Sequence, residues 1–136
     1  MSQLESAIRK KLTQKDILLI SHVVLDYPTP ELALESVGVM VNAGVDIIEL
    51  QIPFSDPAAD GPFLTKANQD AVSNGFSLNS GFKFANTVTK TYPDTIFLFM
   101  TYLAIPYCYG LEAFMKKAAQ CGIQGTIIPD LPIEEA

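Results

Sequence analysis

The stretch 44-GVDIIELQIPFSDPAADGP-62 decides how this chain reads. Val45–Ile52 is a largely apolar run with isoleucine at 47, 48 and 52; Asp46 stands at its start and Glu49 among the isoleucines and leucine inside it. That composition predicts a buried strand, because β-branched residues suit a pleated surface. Gly44 ahead of it ends a helix in the usual way. Pro53–Pro62 behind it is a loop of about ten residues. A strand-to-helix connection is usually about two to six residues, and longer ones tend to be functional.

Working outward, the apolar runs Ile17–Leu25 (ILLISHVVL) and Thr95–Thr101 (TIFLFMT) predict two more strands, the first buried on both faces, and Gly125–Ile128 a fourth. Asp26–Pro30 breaks the chain after the first. Helices are predicted over Glu31–Asn42, Phe63–Ser73, Leu78–Thr91 and Leu111–Gln120, with a short polar helix over residues 1–12. In the second of these five along the chain, Ala33, Leu34, Val37, Met40 and Val41 form one stripe, with Thr29 placed as N-cap and Pro30 at the first helical position. Strands alternating with amphipathic helices predict right-handed βαβ units on a parallel sheet, with four strands and three crossovers. No repeat, linker or low-complexity tract divides residues 1–136, so one unit without an internal boundary is expected.

Composition narrows the function. The 136 residues are 49% hydrophobic and 18% charged, which excludes wholesale disorder. Lys+Arg 9 against Asp+Glu 15 leaves a net charge of −6 without a basic run, so nucleic acid and anionic membranes are poor partners. Cys108 and Cys121 lack metal-ligand spacing, and the single His22 cannot supply a histidine cluster, so no metal is expected. Met1–Gln14 lacks the apolar segment of a signal peptide, and a reducing, cytoplasmic setting is the expectation.

Polar residues gather behind the predicted strands, where parallel α/β proteins place their sites. Glu49 among apolar neighbours would lose solvation, which raises a carboxyl toward the range of a general acid/base; a structural ion pair is the alternative. Asp56 and Asp60 suit a functional loop and plain turn chemistry alike. His22 reads first as a satisfied strand histidine, and Tyr102, Tyr107 and Tyr109 as wall packing. No glycine-rich nucleotide motif occurs.

The opening stretch resembles the tryptophan synthase alpha subunit family, whose pattern is approximately G-[AV]-D-[AI]-[LI]-E-L-G-[VI]-P-F-S-D-P-x-A-D-G-P. Lys66–Ala71, Met100–Tyr102 and Pro129–Glu135 carry further likeness. The resemblance implies an eight-stranded (β/α) TIM barrel, of which this chain would supply about the first four strands. It also implies retro-aldol cleavage of indole-3-glycerol phosphate to indole and glyceraldehyde 3-phosphate, in tryptophan biosynthesis. The partner implied is a beta subunit in an alpha2-beta2 assembly, with pyridoxal phosphate on that partner and no cofactor here. Glu49 matches the family's general acid/base, and Asp60 the carboxylate that accepts the indole N–H. Leu64, Met100 and Tyr102 match residues lining or bordering the indole pocket, and His22 stands at a pocket position. Pro53, Phe54, Ser55, Asp56 and Asp130 match loops that border the beta subunit.

Departures from the pattern fall beside those positions. Gln51 stands for glycine, where a bulkier side chain needs room, and His22 stands for phenylalanine. Asp26 replaces the glycine of an [AL]-G-D-P turn, and Ala104 replaces an asparagine. These motivate an alternative, an alpha-like chain that activates a beta subunit without cleaving substrate. The family's phosphate-binding loops follow strands seven and eight. The expectation is therefore that the 136 residues are one part of a longer chain, the alternative being a half barrel that needs a partner surface.

Overall fold

The computed structural model describes residues 2–135. Four strands, β1 (Ile20–Val24), β2 (Ile47–Gln51), β3 (Ile96–Met100) and β4 (Gly125–Ile127), form one parallel sheet in sequential order. Helix α1 (Gln3–Leu12) precedes the sheet. Helix α2 (Pro30–Asn42) joins β1 to β2, α3 (Pro62–Ser73) and α4 (Leu78–Thr91) join β2 to β3, and α5 (Ala104–Tyr109) and α6 (Leu111–Gln120) join β3 to β4. A 3₁₀ turn spans Ile133–Glu135.

Strand alternation sorts the side chains onto two faces. Val23, Ile48, Leu50, Phe97 and Phe99 point toward α2, α4 and α6 and join Val37, Phe82, Val88 and Phe114 in the main core. Phe82, Phe99 and Phe114 meet there with ring centroids 5.7–6.1 Å apart, a spacing at which aromatic edges and faces attract. The opposite, inner face carries Ile47, Glu49 and Gln51 of β2 in line with residues of β1 and β3. Its lower end is closed by α1, whose Leu4, Ala7 and Ile8 pack on Ile47, Ile96 and Leu98. Gly125 allows that approach: a β-carbon there would lie 3.0 Å from Leu4.

Local chemistry accounts for the helix ends. Thr29 accepts the Leu32 N–H and Pro30 opens α2, while Ser77 and Ser80 cap α4 reciprocally. Asp26 adopts φ 59°, a left-handed backbone that Asp tolerates better than most residues, so the turn survives the loss of glycine. The Ser80 hydroxyl donates to its carboxylate at 2.9 Å.

Two expectations need correction. The strand predicted over Ile17–Leu25 is shorter, and it is not buried on both faces: Ile17 and Ile20 are exposed and pairing runs only from residue 20. Strand β1 lies at the sheet's edge with one neighbour, so a hydrophobic run there is not matched by covering elements. Helix α5 was not anticipated. Its six residues are too few for an apolar period, and Pro106, inside its first turn where proline costs little, reads locally as a breaker.

A charged clasp fastens the lower rim. Asp46, almost fully buried, accepts from Lys15 Nζ at 2.7 Å and from the Leu19 N–H at 3.1 Å, with Lys11 Nζ at 3.8 Å. Burial alone would raise its pKa, but the Lys15 and Leu19 hydrogen bonds and the two lysine charges outweigh that and hold it below the ordinary value. A lowered folded-state pKa stabilises the fold above about pH 4 and ceases to do so as pH falls through the lowered value. Asp46→Asn should therefore cost about 1–2 kcal/mol at neutral pH and flatten the acid limb of stability. Urea denaturation from pH 2 to 7 measures both, and parallel acid limbs for wild type and variant would refute the assignment.

Candidate active site

Glu49 and Gln51 are two residues apart on β2 and so share the inner face. Register sets His22 and Leu98 beside Glu49, and Val24 and Met100 beside Gln51. Ile52 continues the ladder by donating its N–H to the Met100 carbonyl at 2.9 Å, after which the chain leaves the sheet. The loop that follows brings Asp60 back over the end of β2. There Gln51 Nε2 donates to Asp60 Oδ2 at 2.6 Å, and the other end of the same amide meets His22 Nε2 at 2.6 Å. Glu49 itself is half-buried, and none of the described residues hydrogen-bonds its carboxylate, so it keeps contact with solvent rather than sitting in a structural ion pair.

Asn68, Tyr102 and the loop's own backbone shape the loop. Asn68 of α3 is fully buried; its Oδ1 accepts the Phe54 N–H at 3.0 Å, while its Nδ2 donates to the Leu64 carbonyl at 2.8 Å and more weakly to Asp60 Oδ2 at 3.4 Å. Tyr102, just past β3, accepts the Ala59 N–H at 3.1 Å and stacks on Phe54 with ring centroids 5.4 Å apart. Within the loop, Asp60 N–H donates to the Pro57 carbonyl at 3.0 Å. Burial pushes the Tyr102 phenol's pKa up, the Ala59 N–H partly offsets this, and the nearby Asp60 carboxylate raises it again. The phenol therefore stays protonated beside Asp60.

The other sequence-derived positions divide. Met100 is buried next to Gln51 across the sheet, and Pro53 is buried at the loop's start. Leu64 lies on the first turn of α3 and is more than a third exposed. Ser55 and Asp56 are exposed and bonded to each other at 2.7 Å, on the outside of the loop. Asp130 accepts the Leu103 N–H at 2.9 Å, tying the loop after β4 to the loop after β3. Tyr107 is 72% exposed and forms no wall, whereas Tyr109 packs edge-on to Phe82 in the main core. Among the described residues no group of three or more His, Cys, Asp or Glu is placed to hold a metal ion.

Sequence reasoning did not find the part played by Asn68, and it treated Gln51 only as a steric intrusion. Asn68 carried a signal, a polar residue between the buried Ala67 and Ala71 on one helix face. Gln51 found room: it is fully buried and both ends of its amide are bonded.

Parallel strands in sequential order, helices covering one face, and carboxylates where the strands end define the (β/α)-barrel class. The chain forms about half of such a barrel. It belongs to the tryptophan synthase alpha chain family, whose model matches residues 8–136. A tryptophan synthase alpha chain of Syntrophotalea carbinolica is 55% identical over 133 residues, which are 98% of this chain and 52% of that one. The structure of the Legionella pneumophila tryptophan synthase alpha chain superposes with a TM-score of 0.88 at 31% identity, covering 100% of this chain and 51% of its own. A tryptophan synthase structure from M. tuberculosis superposes with a TM-score of 0.92 at 28% identity, covering 100% and 54%. The chain thus spans about half the length of the curated relatives it matches. No helix among the described residues is long and apolar enough to cross a membrane.

Asn68→Ala would leave the Phe54 N–H without its partner and remove the extra side-chain bond to the Leu64 carbonyl. It should destabilise the protein by about 1–3 kcal/mol and speed hydrogen exchange at Phe54, read by denaturation and amide exchange. Unchanged exchange at Phe54 would show that the loop is held by other contacts.

Proposed function

We propose that this chain carries the acid–base half of a carbon–carbon lyase that cleaves indole-3-glycerol phosphate to indole and glyceraldehyde 3-phosphate, in tryptophan biosynthesis. The observation that carries the reading is one pair of carboxylates at the C-terminal end of β2. Glu49 is open to solvent on the inner face, and Asp60 is bound in place above it. Both lie in the family stretch.

In this reaction the bond between indole C3 and the hydroxyl-bearing side-chain carbon breaks. Glu49 is suited to proton transfer because it is half-buried and not committed to a protein partner. It would help deliver a proton to indole C3 and remove the proton of the side-chain hydroxyl, whose oxygen becomes the aldehyde carbonyl as the bond electrons return to the ring. Asp60 would accept the indole N–H and stabilise the positive charge that spreads to that nitrogen once C3 is protonated. Met100 and Leu64 would flank the ring. Binding of the phosphate falls to loops beyond these four strands, where helix N-termini and backbone amides suit an anion.

The chemistry assigned here needs no cofactor in this chain. The same reading pairs the chain with a tryptophan synthase beta subunit, in an alpha2-beta2 assembly, with pyridoxal phosphate on that partner. The likeness to the M. tuberculosis tryptophan synthase supports a partner, as do the exposed Ser55 and Asp56 after β2 and Asp130 after β4, at one end of the sheet. A cytoplasmic setting belongs to the same proposal, and the unpaired thiols of Cys108 and Cys121 support it.

In a chain of the relatives' full length that carries this sequence, Glu49→Gln should lower indole release by about 10²–10⁴-fold without altering the unfolding midpoint. Undiminished turnover in that variant would refute the assignment of Glu49.

A further inference from the structure

Gln51 is fully buried, and a buried amide is costly unless both its ends are bonded. The partners here also fix its orientation. Asp60 Oδ2, 2.6 Å away, belongs to a carboxylate and accepts, so the amide nitrogen must face it. The amide oxygen then faces His22 Nε2 at 2.6 Å, and an amide oxygen also only accepts. His22 must therefore carry a proton on Nε2 and donate it. The result is a one-way relay, from His22 through Gln51 to Asp60, whose last bond is short and charge-assisted.

Asp60 is thereby divided between two tasks. Oδ2 takes the Gln51 N–H, with Asn68 adding a weaker contact at 3.4 Å. Among the described residues no N–H hydrogen-bonds Oδ1, and no enclosed side-chain oxygen or nitrogen lacks a partner, so Oδ1 keeps contact with solvent, with the protonated Tyr102 hydroxyl as the other donor near the carboxylate. We propose that Gln51 is a positioning residue for Asp60, held in orientation by His22, and that the relay reserves Oδ1 for a single N–H of the ligand. The family pattern has glycine at 51 and phenylalanine at 22, side chains that make neither bond. The steric intrusion at 51 is thus also the device that aims the carboxylate. The proposal rests on the lyase reading for the identity of the ligand, but its geometry does not.

The test has one arm for each. The protein has a single histidine, so its imidazole is unambiguous in a nitrogen-15 spectrum. An exchange-protected Nε2–H proton is expected, lost in Gln51→Met, a variant of similar length that cannot accept or donate in this way. In a chain of the relatives' full length, charge at the ring nitrogen develops mainly in the transition state, so the loss should fall on kcat. Gln51→Met should lower kcat about 10–100-fold, with KM within roughly twofold. His22→Phe should lower kcat less, by about three- to tenfold. The double variant should be no worse than Gln51→Met, because both act through one bond chain. Should Gln51→Met fail to fold, His22→Phe alone still decides, since its kcat must fall with KM held. An Nδ1–H tautomer, an Nε2–H proton that survives in Gln51→Met, additive kcat losses, or a rise in KM with kcat intact overturns the relay. If the wild-type chain of the relatives' full length releases no indole, the lyase reading falls, and the imidazole spectrum decides the relay by itself.

Discussion

Strand β2 is flanked on both sides, and each of its residues must satisfy two neighbours at once. Pairing with β1 and β3 in parallel register leaves one degree of freedom, which face each side chain takes, and the two-residue period settles it. Ile48 and Leu50 go to the helix side, where Phe97, Phe99 and Val23 meet them. Ile47, Glu49 and Gln51 must then share the inner face. A slip of one residue would bury Glu49 in an aromatic core without a partner, at a cost no local contact offsets. Register protects the core and by the same act presents the carboxylate.

The loop after β2 is the second layer of that arrangement. Its backbone leaves the sheet carrying polar groups that need partners. Asn68, Tyr102 and the loop's own carbonyls supply them, each from a different element. Asp60 is consequently held by α3 through Asn68 and by β2 through Gln51. A carboxylate on a long loop thereby gains the fixity of the sheet beneath it.

Much of this was legible in the residues. The four strands, the long crossover helices and the cap at Thr29 follow from hydrophobic period and capping chemistry, which act over a few neighbouring residues. Glu49 and Asp60 were legible as candidates because charge inside or behind an apolar strand is unusual. The misreadings have one cause. Ile17 and Ile20 look like core, but Ile17 precedes an edge strand and Ile20 begins it, and Tyr107 looks like a wall but faces solvent. Each depends on what else lies nearby, which no local pattern reports.

By itself the sequence determined the parallel α/β class, the order of its elements and the residue types able to move a proton, because these follow from period, propensity and side-chain chemistry. Tertiary structure alone decided which of those groups meet. His22, Gln51 and Asp60 are separated by up to 38 residues along the chain yet form one hydrogen-bonded line. The reason is that a hydrogen bond needs placement to a few tenths of an ångström. Only the sheet register, with the loop closed over it, supplies that.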